Sequence, residues 1–220
     1  MRKLVIFGTE ATAEVIDFYF TQDSEYEVAA FTVDAAFLDG DSYRGRPLVA
    51  FEDIASKFPP GDYEMFIAVG FQKMNAVRAL KFAAAKSMGY TLASYLSSKA
   101  SAWPGFSPAE NTFVMEDNTI QPFATIGHDT ILWSGNHVGH HSSIGAHCFV
   151  SSHVVISGRV KVGDYSFLGV NSTLRDGVAL GEATMVGAGC LVLADTPPEA
   201  VLTALGSEIR RVPSRKLRTI

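Results

Sequence analysis

Residues 112–195 read TFVMEDNTIQPFATIGHDTILWSGNHVGHHSSIGAHCFVSSHVVISGRVKVGDYSFLGVNSTLRDGVALGEATMVGAGCLVLAD, and this stretch decides the fold. Every sixth residue from Val114 is aliphatic: Val114, Ile120, Ile126, Leu132, Val138, Ile144, Val150, Ile156, Val162, Leu168, Leu174, Leu180, Val186 and Val192. The 84 residues hold 22 Val, Ile or Leu, and 14 of them occupy this register while eight are spread over the other 70 places. Neither a 3.6-residue helix nor an alternating strand produces that count. A six-residue period predicts a three-sided solenoid. Three hexads make one coil of 18 residues, coils stack about 4.8 Å apart, and the aliphatic side chains fill one inward column. Glycine follows the aliphatic residue at Gly127, Gly139, Gly145, Gly163, Gly169, Gly181 and Gly187, as expected of corners that need unusual dihedrals.

Upstream the pattern changes. Lys3–Phe7 reads as a strand, followed by Gly8 and an amphipathic helix carrying Val15, Ile16, Phe18 and Tyr19. Tyr26–Val33 is a second strand ending at Asp34, Asp39–Gly45 a polar turn, and Phe66–Val69 a third strand ending at Gly70. Met74–Met88 reads as a helix and Tyr90–Tyr95 as a fourth strand. Alternating strands and helices predict a small, Rossmann-like βαβ sheet over residues 1–96, with ligands at the carboxyl ends of its strands. Residues 97–220 then form the solenoid and a tail, with the proline- and serine-bearing stretch 97–111 as the junction.

Composition excludes several function classes. The chain has 220 residues, 47% hydrophobic and 19% charged, so it can build a sizeable core. A net charge of −5 argues against a nucleic-acid partner, which demands a basic face. The sequence holds no apolar run long enough to span a bilayer, and the charged start predicts no secretory signal. Two cysteines, Cys148 and Cys190, make no disulfide framework. They stand 42 residues apart, more than two coils and about 11 Å along the solenoid axis, beyond disulfide reach. A reducing, cytoplasmic setting is the expectation.

The chemistry-bearing signal is a cluster of histidines. All six lie between His128 and His153: His128, His137, His140, His141, His147 and His153. Outward histidines on a solenoid can simply pack, but six together mark a site. Hexapeptide-repeat carbonic anhydrases hold zinc through histidines five residues and two coils apart, and no pair here has either spacing, which argues against a metal. General base catalysis fits better, because imidazole is matched to neutral pH and acyl transfer requires a nucleophile losing its proton. The coil length adds geometry: Gly158 lies 18 residues after His140, one coil on along the same edge, where its N–H could hold an oxyanion. Likewise Asp129 stands one coil before His147. The tail segment 210–218 carries Arg210, Arg211, Arg215, Lys216 and Arg218, either a solvated end or a contact for phosphates.

The segments KLVIFG, FIAVG, SGNHVGHHSSIG, FVSSHVVISG and FLGVNSTLRDGVALG resemble the hexapeptide-repeat sugar N-acetyltransferases that act on nucleotide-linked amino sugars in bacterial surface-glycan pathways. The resemblance covers nearly the whole chain. It implies a left-handed β-helix, acetyl-CoA as acyl donor, no metal, and a homotrimer with sites between subunits. It implies His140 as base and the Gly158 N–H as oxyanion donor. The position after the base is usually acidic in the family and is His141 here, so either histidine can be the base. Val170 and Ala188 map to main-chain contacts of the pantetheine arm, with Phe149 and Gly158 also on the cofactor. The turn GTEATAE, with Gly8, Glu10, Ala11 and Thr12, maps with Asp34 and Gly70 to the nucleotide-sugar rim. Its later glycines are replaced by Ala11 and Ala13. An O-acyltransferase, a different acyl donor, or a non-catalytic trimeric scaffold are the competing readings. Outward aromatics such as Trp133, Phe149 and Phe167 are the expected subunit contacts.

Overall fold

The computed structural model describes residues 2–207 and 213–216. Arg210, Arg211 and Arg218 of the basic tail lie outside the described residues, while Arg215 and Lys216 are exposed in a short 3₁₀ turn.

The chain is a small α/β domain followed by a left-handed parallel β-helix. All fourteen register residues point inward and are at most 7% exposed, so the solenoid core is one continuous column. Each hexad contributes a two-residue strand. Partners stand 18 residues apart: Phe113–Val114 pairs with Ile131–Leu132, then Phe149–Val150, Phe167–Leu168 and Met185–Val186 on the first face. The second face runs Thr119–Ile120, His137–Val138, Val155–Ile156, Thr173–Leu174, Leu191–Val192. The third runs Thr125–Ile126, Ser143–Ile144, Lys161–Val162, Ala179–Leu180. Pairing begins one coil before Val114, where Tyr95–Leu96 and Ser101–Ala102 join the first two faces.

The corners differ from expectation in an instructive way. The left-handed residues also recur every sixth position, from Asn111 through Asp117, Phe123 and Asp129 to Gly189. They lie three places after the aliphatic column, and most are not glycine. The glycines that follow the column serve closeness instead. A Cβ added at Gly127, Gly139, Gly145, Gly163, Gly169 or Gly181 would come within 2.7 Å of backbone atoms in the next coil. Three histidines, His141, His147 and His153, occupy the left-handed position, a conformation that Asn, Asp and His tolerate better than most residues.

In the α/β domain, strands β1 (Arg2–Phe7), β2 (Tyr26–Val33), β3 (Ser42–Tyr43), β4 (Arg46–Ala50) and β5 (Glu64–Ile67) form a sheet in the order β3-β4-β2-β1-β5. Helices α1 (Ala11–Gln22), α2 (Ile54–Lys57) and α3 (Ala76–Ser87) accompany it. Two expectations are corrected. The turn 39–45 contains half of a hairpin: β3 and β4 are antiparallel across Arg44 and Gly45, both left-handed, as a two-residue type I′ turn requires. Residues 90–95 form no full fourth strand. Leu92 makes one bridge to Met65, and Tyr95 already belongs to the β-helix.

Of the first-face aromatics, Phe149 is covered by this same chain, while Trp133 and Phe167 stay half-buried. Phe149 is buried, with Phe71 at 5.1 Å and Phe167 at 5.8 Å between ring centroids, and Trp133 joins the same cluster. That burial also removes Phe149 from direct reach of a cofactor.

Candidate active site

A polar clamp fixes the two parts together. Arg78 of α3 is fully buried, and burial lowers its pKa while the nearby Asp129 opposes the shift. Its guanidinium donates to the carbonyls of Gly70, Asp129 and Cys148 and to Asn75 Oδ1. Asn75, left-handed at φ 65°, donates onward to the Tyr165 and Ser166 carbonyls of the coils. Asp129 lies 3.3 Å from Arg78 Nε and accepts from Asn111 at 2.7 Å. Its second oxygen is 2.6 Å from His147 Nδ1. The spacing of 18 residues brought Asp129 and His147 together, as expected. The pair secures the domain junction, with His147 stacked on Tyr165 and edge-on to His128.

The rim of the α/β sheet holds a cavity of about 190 Å³. Gly8, Glu10, Thr12, Asp34 and Gly70 line it, at the carboxyl ends of β1, β2 and β5. Ala11 begins α1 and does not line it. Gly8 is required: its φ is +121°, and a Cβ would sit 2.9 Å from the Ala68 carbonyl oxygen. Sequence reasoning missed Lys81, which pairs with Asp34 and lies over the Phe7 and Phe51 rings at 5.3 Å. It also missed the exposed Phe37 at the cavity mouth. The free N–H groups at the start of α1 and the Lys81 cation suit an anionic ligand, and Phe37 offers a flat apolar face.

The catalytic candidates stand on the edge between the second and third faces. His140 and His141 are both exposed, and their Nδ1 atoms lie 3.1 Å apart. One ring must donate. With the hydrogen on His140 Nδ1, its Nε2 is left as a proton acceptor. The backbone of His140 is fixed by Gln121, whose side-chain oxygen accepts its N–H at 2.9 Å. His141 packs on Phe123 at 4.6 Å. Gly158 stands one coil on, and its lack of a side chain is what admits the His140 ring: a Cβ there would be 2.8 Å from His140 Nε2. The Gly158 N–H, however, donates to Asp176 Oδ1 at 2.8 Å. It is therefore engaged in this state, which corrects the picture of an open oxyanion donor.

Val170 and Ala188 lie on a different edge, between the first and second faces. Both are exposed and stack one coil apart, the Gly189 N–H donating to the Val170 carbonyl. The histidine pair and the Val170–Ala188 pair thus occupy two separate edges of one prism.

Cys148 and Cys190 are free and buried, and burial pushes the Cys148 thiol up to about 12, which disfavours its reactive thiolate. Among the described residues, no cluster of three His, Cys, Asp or Glu could hold a metal, and no helix is long and apolar enough to cross a membrane.

Residues 123–158 match the model for the bacterial transferase hexapeptide (six repeats). No curated protein matches the sequence. Among solved structures, PerB from Caulobacter crescentus, in complex with CoA and GDP-perosamine, is 27% identical over 91% of this chain and 93% of its own, with TM-score 0.78. A histidine-substituted variant of the same organism's GDP-perosamine N-acetyltransferase superposes with TM-score 0.81 at 26% identity, over 91% of this chain and 93% of that one. The acetyltransferase domain of PglB from Neisseria gonorrhoeae shares the fold, with TM-score 0.80 at 20% identity over 91% and 96%. The transferase hexapeptide repeat and the two-part architecture of this chain are thus those found in sugar N-acetyltransferases.

Proposed function

We propose that this protein is an acetyl-CoA-dependent N-acetyltransferase for a nucleotide-linked amino-dideoxy sugar of the 4-amino-4,6-dideoxyhexose type. The observation that carries this reading is the edge where His140 Nε2 meets Gly158. A base with an open face stands beside a backbone N–H, the pairing acyl transfer needs. The likeness to enzymes solved with CoA and GDP-perosamine supports it. The cavity at Gly8, Asp34, Gly70 and Lys81 takes the nucleotide, its phosphates toward the start of α1. The Val170–Ala188 edge takes the pantetheine arm.

In the reaction the neutral amine attacks the thioester carbonyl. The new C–N bond forms and the C–S bond breaks. His140 Nε2 accepts the amine proton and returns it to the departing thiolate, releasing CoA as the thiol. His141 orients His140 through the Nδ1 contact, replacing the usual carboxylate by a second imidazole.

Because base and cofactor contacts lie on different edges, the working unit is a homotrimer. The His140 edge of one copy faces the Val170–Ala188 edge of the next. Such an enzyme serves surface-glycan assembly in the cytoplasm. The test is direct incubation with acetyl-CoA and dTDP-, UDP- and GDP-linked 4-amino sugars. Acetylated product and free CoA thiol in equal amounts are expected from at least one. Transfer only to hydroxyl sugars would favour the O-acyltransferase alternative, and transfer to none would favour a scaffold.

A further inference from the structure

Three successive coils place His140, Gly158 and Asp176 in one line, 18 residues apart. Asp176 is exposed, and none of the ion pairs among the described residues involves it. Its carboxylate instead accepts the Gly158 N–H at 2.8 Å. The point where a Gly158 Cβ would stand is 2.8 Å from His140 Nε2 and 3.0 Å from Asp176 Oδ1. Base and carboxylate are therefore at most 5.8 Å apart (2.8 + 3.0), close enough for one donor group to reach both.

Resting on the acetyltransferase reading above, we propose that Asp176 receives the ammonium group of the acceptor sugar, and that this contact releases the Gly158 N–H to the oxyanion. Aliphatic amines are largely protonated at neutral pH, with α-amino groups titrating near ~8. The acceptor thus arrives as a cation. An ammonium brings a full positive charge to the Asp176 carboxylate, a Coulomb attraction that the neutral Gly158 N–H lacks, so it competes for the carboxylate. An amine bridging the two touches Asp176 on one side and His140 Nε2 on the other. The ammonium loses one proton to solvent, the neutral amine attacks, and its second proton passes to His140 and then to the thiolate. A hydroxyl acceptor brings no charge and leaves Asp176 on Gly158. Asp176 is thereby the group that selects amine over hydroxyl, and it keeps the oxyanion site closed to water until the amine is present.

The test uses Asp176→Asn and Asp176→Ala in the full chain. Asn keeps an oxygen for the Gly158 N–H but loses the charge. In Asp176→Asn, affinity for the amino-sugar nucleotide should fall about tenfold or more, while affinity for its hydroxyl counterpart and the KM for acetyl-CoA stay as in wild type. In Asp176→Ala, release of CoA without acceptor should rise severalfold, because the oxyanion donor is free. Unchanged amine affinity in Asp176→Asn overturns the ammonium role, and unchanged acceptor-free CoA release in Asp176→Ala overturns the release of Gly158. Binding is measured apart from turnover, so a wild type that binds the amines and acetylates none contradicts the functional reading instead.

Discussion

The β-helix and the α/β domain hold their parts together by different rules. In the coils, as far as Val192, the neighbour of a residue is the residue 18 places on: Asn111 meets Asp129, Asp129 meets His147, and Gly158 meets Asp176. In the α/β domain neighbours follow no arithmetic. Lys81 meets Asp34 across 47 residues, and Arg46 meets Asp17 across 29. The solenoid is thus a ruler that spaces chemical groups along edges. The α/β domain is a docking platform fastened to one face of that ruler by Arg78 and the Phe71–Phe149–Phe167 stack.

The largest expected effect falls on the ruler's chemistry. His140→Ala should lower kcat by about 10² to 10⁴ with acetyl-CoA binding nearly unchanged, as for loss of a positioned base. His141→Ala should cost less, since it acts through His140. If His141→Ala is the more damaging, the base is one residue on.

Next comes the fastening between the two regions. Arg78→Ala removes the buried cation beside Asp129 and leaves the Asp129 and Cys148 carbonyls without their donor, and should cost roughly 3–5 kcal/mol in denaturant unfolding. A loss under about 1 kcal/mol would mean that the clamp is incidental and the aromatic stack alone joins the regions. Within the column, Leu168→Ala should cost about 2–5 kcal/mol, because a fully buried side chain leaves a cavity that stacked coils cannot close.

The smallest effect is a pH dependence at the junction. Asp23, just past α1, accepts hydrogen bonds from Ser98 and Tyr95, which hold its pKa at about 2 against an ordinary 3.8. A lowered folded-state pKa contributes stability that is complete above pH 3.8 and is lost as pH falls toward 2. Asp23→Asn should flatten that acid limb of the stability curve and cost about 1 kcal/mol at neutral pH. An unaltered acid limb would remove Asp23 from the junction.

The same contrast explains what the sequence disclosed. The hexad register located the inward aliphatic column from Val114 to Val192, because a period of six leaves a strong statistical mark, but not Cys148, Val154, Val160, Val178 and Cys190, which also pack into the core. Asp176 is equally legible by adding 18 to Gly158, but a single aspartate on an exposed edge carries no motif of its own. The role of the corner histidines was hidden, since a left-handed residue three places after the column is visible only once φ is known. Phe149 is outward in the register yet buried under the α/β domain, because outward aromatics on a solenoid do not announce which surface covers them. The hairpin at Arg44–Gly45 was missed because β3 is only two residues long, too short for any alternation.

The central claim is that one site is assembled from two edges on different copies. His140→Ala and Val170→Glu should each abolish acetyl transfer alone, the first by removing the base and the second by blocking the pantetheine edge. The two variants are then unfolded together, refolded at equal amounts and assayed. Sites pairing an intact His140 edge with an intact Val170–Ala188 edge arise by chance in a symmetric ring, so about a quarter of wild-type activity should return. If the mixture stays as inactive as its parts while wild type treated identically recovers, both edges serve a site within one chain and the account is contradicted.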